Sequence, residues 1–450
     1  MPEGAPYRDV EAIDVWLFYG VIAILAVFGG SSRYDMAQNV ILQPTLWIVL
    51  GVVAFRSRRP PELRPYIWLS IAYGIWLALQ LVPLPFEVWS VLSGREEIAR
   101  LDEMLIGENW RPLSLVPART LNAFALLPAI LAPIVAFGNL GSRALFHGTA
   151  ALVGCAVFSG LLGLVQIASG AGYFYSITNL GSMVGLFANS NHAAVYGSCG
   201  IVLASIAVTW ADHPLQRTLL CSSIGFLFLA MIGNGSRAGL VTLAIAMLVV
   251  FFVALASVRS DVVTKGNAKT SLIIGALVLL ALVTIGSFIS SGKITALNSL
   301  VNEDPFGDLR FRIAPVLVEI LTDFFPFGSG IGTFEEVFYM YEPNQLLQPT
   351  YVNMAHNDWL QVLIEGGLVG ALFIVALLGM LARSIFTALT GLGRKRQFAL
   401  VIGLGSMFAI VALASAFDYP LRTPLFQATF VLMVAMLAFL PRRSVGELAR

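Results

Sequence analysis

His356, in Met354-Ala355-His356-Asn357-Asp358-Trp359-Leu360, sits where a long polar segment gives way to an apolar run from Leu360 to Leu381. A titratable imidazole at such a junction is expected at a membrane surface, at the first turn of a spanning helix. Helix N-termini present unpaired N–H groups and a positive partial charge. That environment favours the neutral imidazole, the form able to accept a proton. The plainer reading is a polar interface residue or a helix cap. Asp358 and Glu365 stand seven apart, two turns along one helix, and so share a face. They suit either the orientation of a polar substrate or pairing with an arginine.

Basic residues supply the second kind of chemistry. Arg237 lies in Asn234-Gly235-Ser236-Arg237-Ala238-Gly239, a turn between two apolar runs whose small neighbours leave room for a ligand. Arg310 and Arg312 lie in Asp308-Leu309-Arg310-Phe311-Arg312, and Arg33 and Arg422 stand near other run ends. A guanidinium grips phosphate through paired hydrogen bonds and stays charged. Taken singly, each arginine could simply anchor a helix end to lipid headgroups. Several of them on the expected outward side, beside a histidine and against the usual inward bias, favour the phosphate reading. Two further polar clusters open or close apolar runs: Gly185-Leu186-Phe187-Ala188-Asn189-Ser190-Asn191-His192 and Phe417-Asp418-Tyr419-Pro420-Leu421-Arg422. Asn189 and Asn191 are also good helix caps. Charge near a bilayer is costly and usually retained for a purpose.

Composition dictates what must position these groups. Of 450 residues, 58% are hydrophobic and only 12% charged, with a mean hydropathy of +0.82. Soluble domains carry about 25% charged residues, so this is an integral membrane protein. A net charge of +1 gives no case for nucleic acid, which requires a basic face. Cys155, Cys199 and Cys221 all fall in apolar runs and fit neither a disulfide framework nor a zinc site. Arg8 is outnumbered by Glu3, Asp9 and Glu11, and no small-residue cleavage site follows, so the first run is expected to remain as an anchor.

About twelve apolar runs approach the roughly 20 residues a spanning helix needs. Their limits are 14–30, 37–55, 66–84, 119–139, 144–167, 192–210, 217–233, 239–258, 271–290, 357–382, 397–415 and 422–440. Arg56 with Arg58-Arg59, Arg143, Arg217, the Arg259/Lys265/Lys269 connection, Arg383 with Arg394-Lys395-Arg396, and Arg442-Arg443 fall on one side, which the positive-inside rule makes cytoplasmic. Both termini are then cytoplasmic, and the outward side carries 85–118, 168–191 and 291–356. The expected architecture is all-α: one polytopic membrane domain over 1–450, with a large periplasmic loop between helices 9 and 10.

That loop, 291–356, is roughly 65 residues, a length usually kept for function. Pro315 suits a helix's first turn, and Val316, Leu317, Ile320, Leu321 and Phe324 recur at helical spacing, so a short amphipathic helix over 315–325 is expected on the outer membrane surface. Pro326-Phe327-Gly328-Ser329-Gly330-Ile331-Gly332-Thr333-Phe334 ends it as a tight turn. No strand precedes those glycines, which argues against a dinucleotide loop. No HExxH, DxD or P-loop is present, so neither a carboxylate-held divalent metal nor a nucleotide-driven pump is supported. His147, His192, His213 and His356 divide between the two sides, so a histidine metal cluster is not expected.

Taken together, these patches resemble the O-antigen ligase and O-antigen polymerase superfamily of bacterial envelopes. The likeness rests on Gly185 to His192, Ser236-Arg237-Ala238-Gly239, Arg310 through Phe334, and His356-Asn357 with Glu365-Gly366 and Gly370. It covers roughly the last 270 residues in sequence and the remainder only as a GT-C-like architecture. The resemblance implies an inner-membrane, metal-independent and cofactor-free glycosyltransferase with a periplasmic site. Such proteins move a glycan, with inversion, from undecaprenyl diphosphate to an acceptor hydroxyl. In ligases the acceptor is the lipid A core, and in polymerases it is a growing polysaccharide. By position, His356 matches the histidine proposed to activate the acceptor. Arg237 matches a diphosphate-binding arginine, and either Arg310 or Arg312 matches another. Asn357, Asp358, Glu365, Asn189, Asn191, His192, Asp418 and Arg422 are expected as supporting groups. The competing class, a transporter or lipid flippase, would need repeated halves and matched broken spans, and neither is visible.

Overall fold

The computed structural model describes residues 10–57, 60–258, 309–347, 352–390 and 395–440. The expected ninth span, 271–290, and the large loop up to residue 308 lie outside them, as do Arg58, Arg59, Arg259, Lys265, Lys269, Arg394, Arg442 and Arg443.

The first half of the chain forms α1 (Ala12–Phe28), α2 (Gln38–Phe55), α3 (Arg64–Leu79), α4 (Phe86–Trp89), α5 (Glu96–Leu105), α6 (Pro117–Ala125), α7 (Pro128–Asn139), α8 (Ala144–Ser169) and α9 (Ser190–Val208). The second half forms α10 (Pro214–Gly233), α11 (Arg237–Val258), α12 (Leu309–Phe324), α13 (Phe334–Tyr341), α14 (Asp358–Thr390), α15 (Lys395–Phe417) and α16 (Pro424–Phe439). Proline opens α6, α7, α10 and α16, where its missing N–H is no loss. Among the described residues, eight helical stretches are long and apolar enough to cross a membrane, and Ala12–Phe28 and Pro424–Phe439 are shorter apolar helices. The chain is thus an all-α polytopic membrane protein.

Three runs differ from the sequence expectation. The 66–84 run stops at Leu79, and the chain turns into a two-residue antiparallel pairing of Pro83–Leu84 with Arg111–Pro112. The 119–139 run is two helices, because Pro128 cannot donate into the preceding turn. The amphipathic helix already begins at Leu309, with Pro315 inside it. Its apolar face of Ile313, Val316, Leu317, Ile320 and Phe324 is not laid on lipid. It is buried against Phe334 and Phe338 of α13 and Ile364 of α14.

Helix α9 is the central pillar, nearly all of it buried. Its Ala, Gly and Ser residues let α8, α10, α11 and α15 approach closely around it. At one end of the bundle, Ala188 N–H donates to Gly30 O at 3.0 Å and Leu425 N–H to Gly29 O at 2.8 Å. These bonds bring the end of α1, the start of α9 and the start of α16 together. At the other end, Arg56 fastens α2 to α1 through Glu11 and Asp14 at 2.7 and 2.8 Å.

Helix α14 is interrupted at Gly367, whose φ of 55° and ψ of −141° are not helical. The break releases backbone groups for the glycine-rich turn after α12. Ser329 and Gly330 N–H donate to Ile364 and Glu365 O at 3.0 and 2.9 Å, and Leu368 N–H donates to Pro326 O at 2.8 Å. The turn is therefore a backbone clasp on a broken helix. A side chain at Gly367 would place its Cβ 2.1 Å from Pro326 O. Gly367→Ala is expected to cost more than about 2 kcal/mol, since both conformation and space oppose it. Gly379→Ala, with open space around it, is the control and should leave thermal unfolding in detergent unchanged or slightly raised. Equal melting of the two variants would refute the clasp.

Candidate functional site

Asp418 follows directly on α15, its N–H bonded to Ala414 O at 2.8 Å, and is buried. One carboxylate oxygen, Oδ2, accepts from Asn191 Nδ2 at 2.6 Å, and the other, Oδ1, accepts from Tyr419 N–H at 2.9 Å. His192 Nε2 and His356 Nδ1 face that same Oδ1 at 3.6 and 3.7 Å. Burial alone would push Asp418 upward, but the two imidazoles outweigh it and hold the carboxyl well below the usual carboxylate range. The network continues outward from Asn191. Its Oδ1 accepts from Ser236 Oγ at 2.6 Å, and Ser236 Oγ accepts from Gly239 N–H at 2.9 Å, which caps the helix that starts with Arg237.

His356 lies just ahead of the α14 cap, not within the first turn. The cap is Asn357, whose Oδ1 accepts from Leu360 N–H at 3.0 Å. His356 holds φ at 50°, the one positive value at a non-glycine among the described residues. Histidine tolerates this region better than most residues, but at a cost of about 1–2 kcal/mol that the surroundings must hold in place. Its side chain is 22% exposed and its Nδ1 faces the buried carboxylate, so Nε2 is the edge left towards the open side. The Tyr419 ring lies edge-on to both imidazoles, with centroids 5.0 Å away.

Asp358, Glu365 and Arg422 form a separate ion group. Arg422 donates to Glu365 Oε2 at 2.7 Å and stands 3.5 Å from Asp358 Oδ1. Asp358 Oδ2 also accepts from Ser415 Oγ and Leu421 N–H, at 2.9 and 3.2 Å. Glu365 Oε1 accepts from Gln361 at 3.0 Å and from Phe334 N–H at 3.3 Å. The shared face of Asp358 and Glu365 thus pairs with an arginine, and the group locks α14, the glycine turn and the start of α16 together.

The remaining arginines separate. Arg237 is half-buried at the start of α11. Arg310 is half-buried and acts electrostatically on Tyr419, whereas Arg312 is exposed and donates to Gln345 O at 2.9 Å. Burial and the Asp418 charge push the Tyr419 phenol far up, while Asn189, Arg310 and Arg33 pull it the other way. Two cavities meet around Ser32, Arg33 and Asn353. One, about 150 Å³, is lined by Asn179, Asn189, His192 and Tyr419. The other, about 120 Å³, is lined by Tyr73, Arg119, Glu335 and Arg422. Arg33 is paired with Asp35 at 2.6 Å. Arg119 is paired with Glu335 at 3.1 Å and with Glu336, and lies over the Tyr34 ring.

The sequence reading missed Arg119, Tyr419 and Asn353 as members of this region. Arg119 carried a usable signal, an arginine at a run end like Arg33 and Arg422. Tyr419 was adjacent to a singled-out aspartate, and Asn353 had no signal. Removing Arg422 would leave two buried carboxylates without their shared counter-charge. Arg422→Met is expected to cost about 3–5 kcal/mol, with part recovered in Arg422→Met/Glu365→Gln. Thermal unfolding of the purified protein checks both, and a neutral single variant would overturn the locking role.

No curated protein matches the chain. Residues 222–375 match the family model described as O-Antigen ligase. That segment contains Arg237, Arg310, His356 and Glu365, while the fold adds Asn191, His192 and Asp418 from outside it. With its apolar spanning helices, the chain is a multi-pass membrane protein in which residues 222–375 are similar to the O-antigen ligase family.

Proposed function

We propose that the protein is an O-antigen ligase-like glycosyltransferase. It moves a glycan from undecaprenyl diphosphate to an acceptor hydroxyl on the outward face of the inner membrane. The observation that carries this reading is the buried Asp418 carboxylate facing His356 Nδ1 and tied through Asn191 to Ser236, next to Arg237. An imidazole oriented this way presents Nε2 as a base, as a carboxylate does for histidine in other hydroxyl-activating sites.

In the proposed step, His356 Nε2 takes the acceptor O–H proton. The acceptor oxygen forms the new bond to the anomeric carbon from one face, and the bond to the diphosphate oxygen breaks on the other. The configuration inverts, and undecaprenyl diphosphate leaves with the bonding electrons. Arg237 and Arg310 stabilise the charge that develops on the leaving group. Arg312, turned to Gln345, stands outside this role. The aromatic and apolar outer face of α12, with Phe311 and Val318 exposed, would lie along the polyprenyl tail.

Transfer assays in cells or proteoliposomes, at matched expression, test the assignment. His356→Asn keeps a residue that tolerates positive φ, so melting should be unchanged while transfer falls about 10²–10⁴-fold. Asp418→Asn should fall comparably by freeing the imidazole's tautomer. Arg237→Ala and Arg310→Ala should each lose about 10²–10³-fold, and Arg312→Ala should change little. Accumulated long lipid-linked chains would identify a ligase, and accumulated single repeat units a polymerase. Full transfer by both His356→Asn and Arg237→Ala would refute the site and favour a transporter.

A further inference from the structure

A groove of about 650 Å³ lies at the far end of the bundle, between the start of α8 and the connection from α9 to α10. It is a different place from the Asp418 network. The 19 residues of α9 separate them, about 28 Å at the helical rise. Nothing in the proposed transfer uses it.

Two polar atoms in its lining are buried without a hydrogen-bond partner, Thr149 Oγ1 and Trp210 Nε1. Thr149 is only 7% exposed. Leaving such groups unmatched costs about 1–3 kcal/mol each, so a ligand that supplies acceptors would remove a standing penalty. The rim carries one charge of each sign, Arg143 and Asp212, both exposed, and neither forms an ion pair among the described residues. The walls are mostly apolar, with His147, His213 and Gln216 beside them. Phe146 of α8 and Leu219 of α10 are 56% and 58% exposed and face where hydrocarbon would lie.

We infer that this groove is a binding site for a phospholipid whose headgroup carries both a phosphate and a primary ammonium. The phosphate oxygens accept from the Arg143 guanidinium and the Trp210 indole N–H. The Thr149 hydroxyl donates to a glycerol ester carbonyl, the ammonium donates to Asp212, and an acyl chain covers Phe146 and Leu219. Both rim charges, both unmatched polar atoms and the apolar wall then have a complement. A purely anionic headgroup would leave Asp212 facing negative charge, and a choline headgroup would bring no N–H donor to it. The open apolar wall excludes a water-soluble phosphate ester as the natural occupant, since the hydrocarbon contact would stay unused. The lipid would hold α8 against α10 at the bilayer boundary, as interhelical headgroup pockets do elsewhere.

The test uses the full chain purified in mild detergent. Lipid retention is measured by native mass spectrometry, and thermal unfolding is titrated with phosphatidylethanolamine, phosphatidylglycerol and phosphatidylcholine of matched chains. Wild type should retain phosphatidylethanolamine about tenfold better than either alternative. Thr149→Val/Trp210→Phe should weaken retention of all three by about tenfold. Its melting without lipid should stay equal or rise, because unmatched polar atoms have been removed. Asp212→Asn, on the surface and harmless to folding, should abolish the preference over phosphatidylglycerol. Equal retention of the three lipids by wild type would overturn the proposal. So would undiminished retention by the Thr149/Trp210 variant, or an unchanged preference in Asp212→Asn.

Discussion

A single buried negative charge organises one end of this molecule. Asp418 is taken out of water at the end of α15, and an unpaired carboxylate in such a place is costly enough to be avoided. Its compensation comes from segments far apart in the chain: Asn191 and His192 at the start of α9, the Tyr419 backbone, and His356 ahead of α14. Those segments meet at the two carboxylate oxygens. The same convergence places an imidazole on the open side with its rear nitrogen facing fixed charge. One buried group thus links these segments of the chain.

The second constraint is the break at Gly367. A continuous helix would consume the carbonyls of Ile364 and Glu365 internally; the broken one offers them to the glycine turn that ends α12. That clasp fixes α12, and with it Arg310, relative to the loop bearing His356. The Arg422 ion group sits across the same junction and resists its opening. The segment from α12 to the start of α14 is thus part of the fold's framework, with a small apolar core of its own between α12, α13 and α14.

Much of this was legible in the sequence, and the limits have physical reasons. Apolar runs of spanning length and the helical spacing of Ile320 and Phe324 are local properties, so the helices could be read from them. The pairing of Asp358 and Glu365 with an arginine was open from their two-turn spacing, but its identity was not, since Arg422 is brought in by tertiary packing. The start of α12 at Leu309 was obscured by Pro315, which marks a first turn in isolation yet is tolerated where packing holds the helix. His356 was expected in the first turn of a helix and lies just ahead of its Asn357 cap, and its environment was read from the helix terminus alone. The Asp418 carboxylate that faces it was among the expected supporting groups, but its pairing with a residue 62 positions away (418 − 356) could not be read locally.

The three arginines bordering the smaller cavity share a property beyond their position. Arg33, Arg119 and Arg422 each already hold carboxylate partners. An anion entering that cavity exchanges one counter-charge for another instead of meeting bare positive charge. Internal neutralisation of this kind makes capture depend on geometry more than on long-range attraction, and so little on ionic strength. It also discriminates by size, because a small mobile anion cannot displace several fixed carboxylates at once. Neutralised in this way, the cavity attracts a free phosphate less than three bare guanidinium groups would.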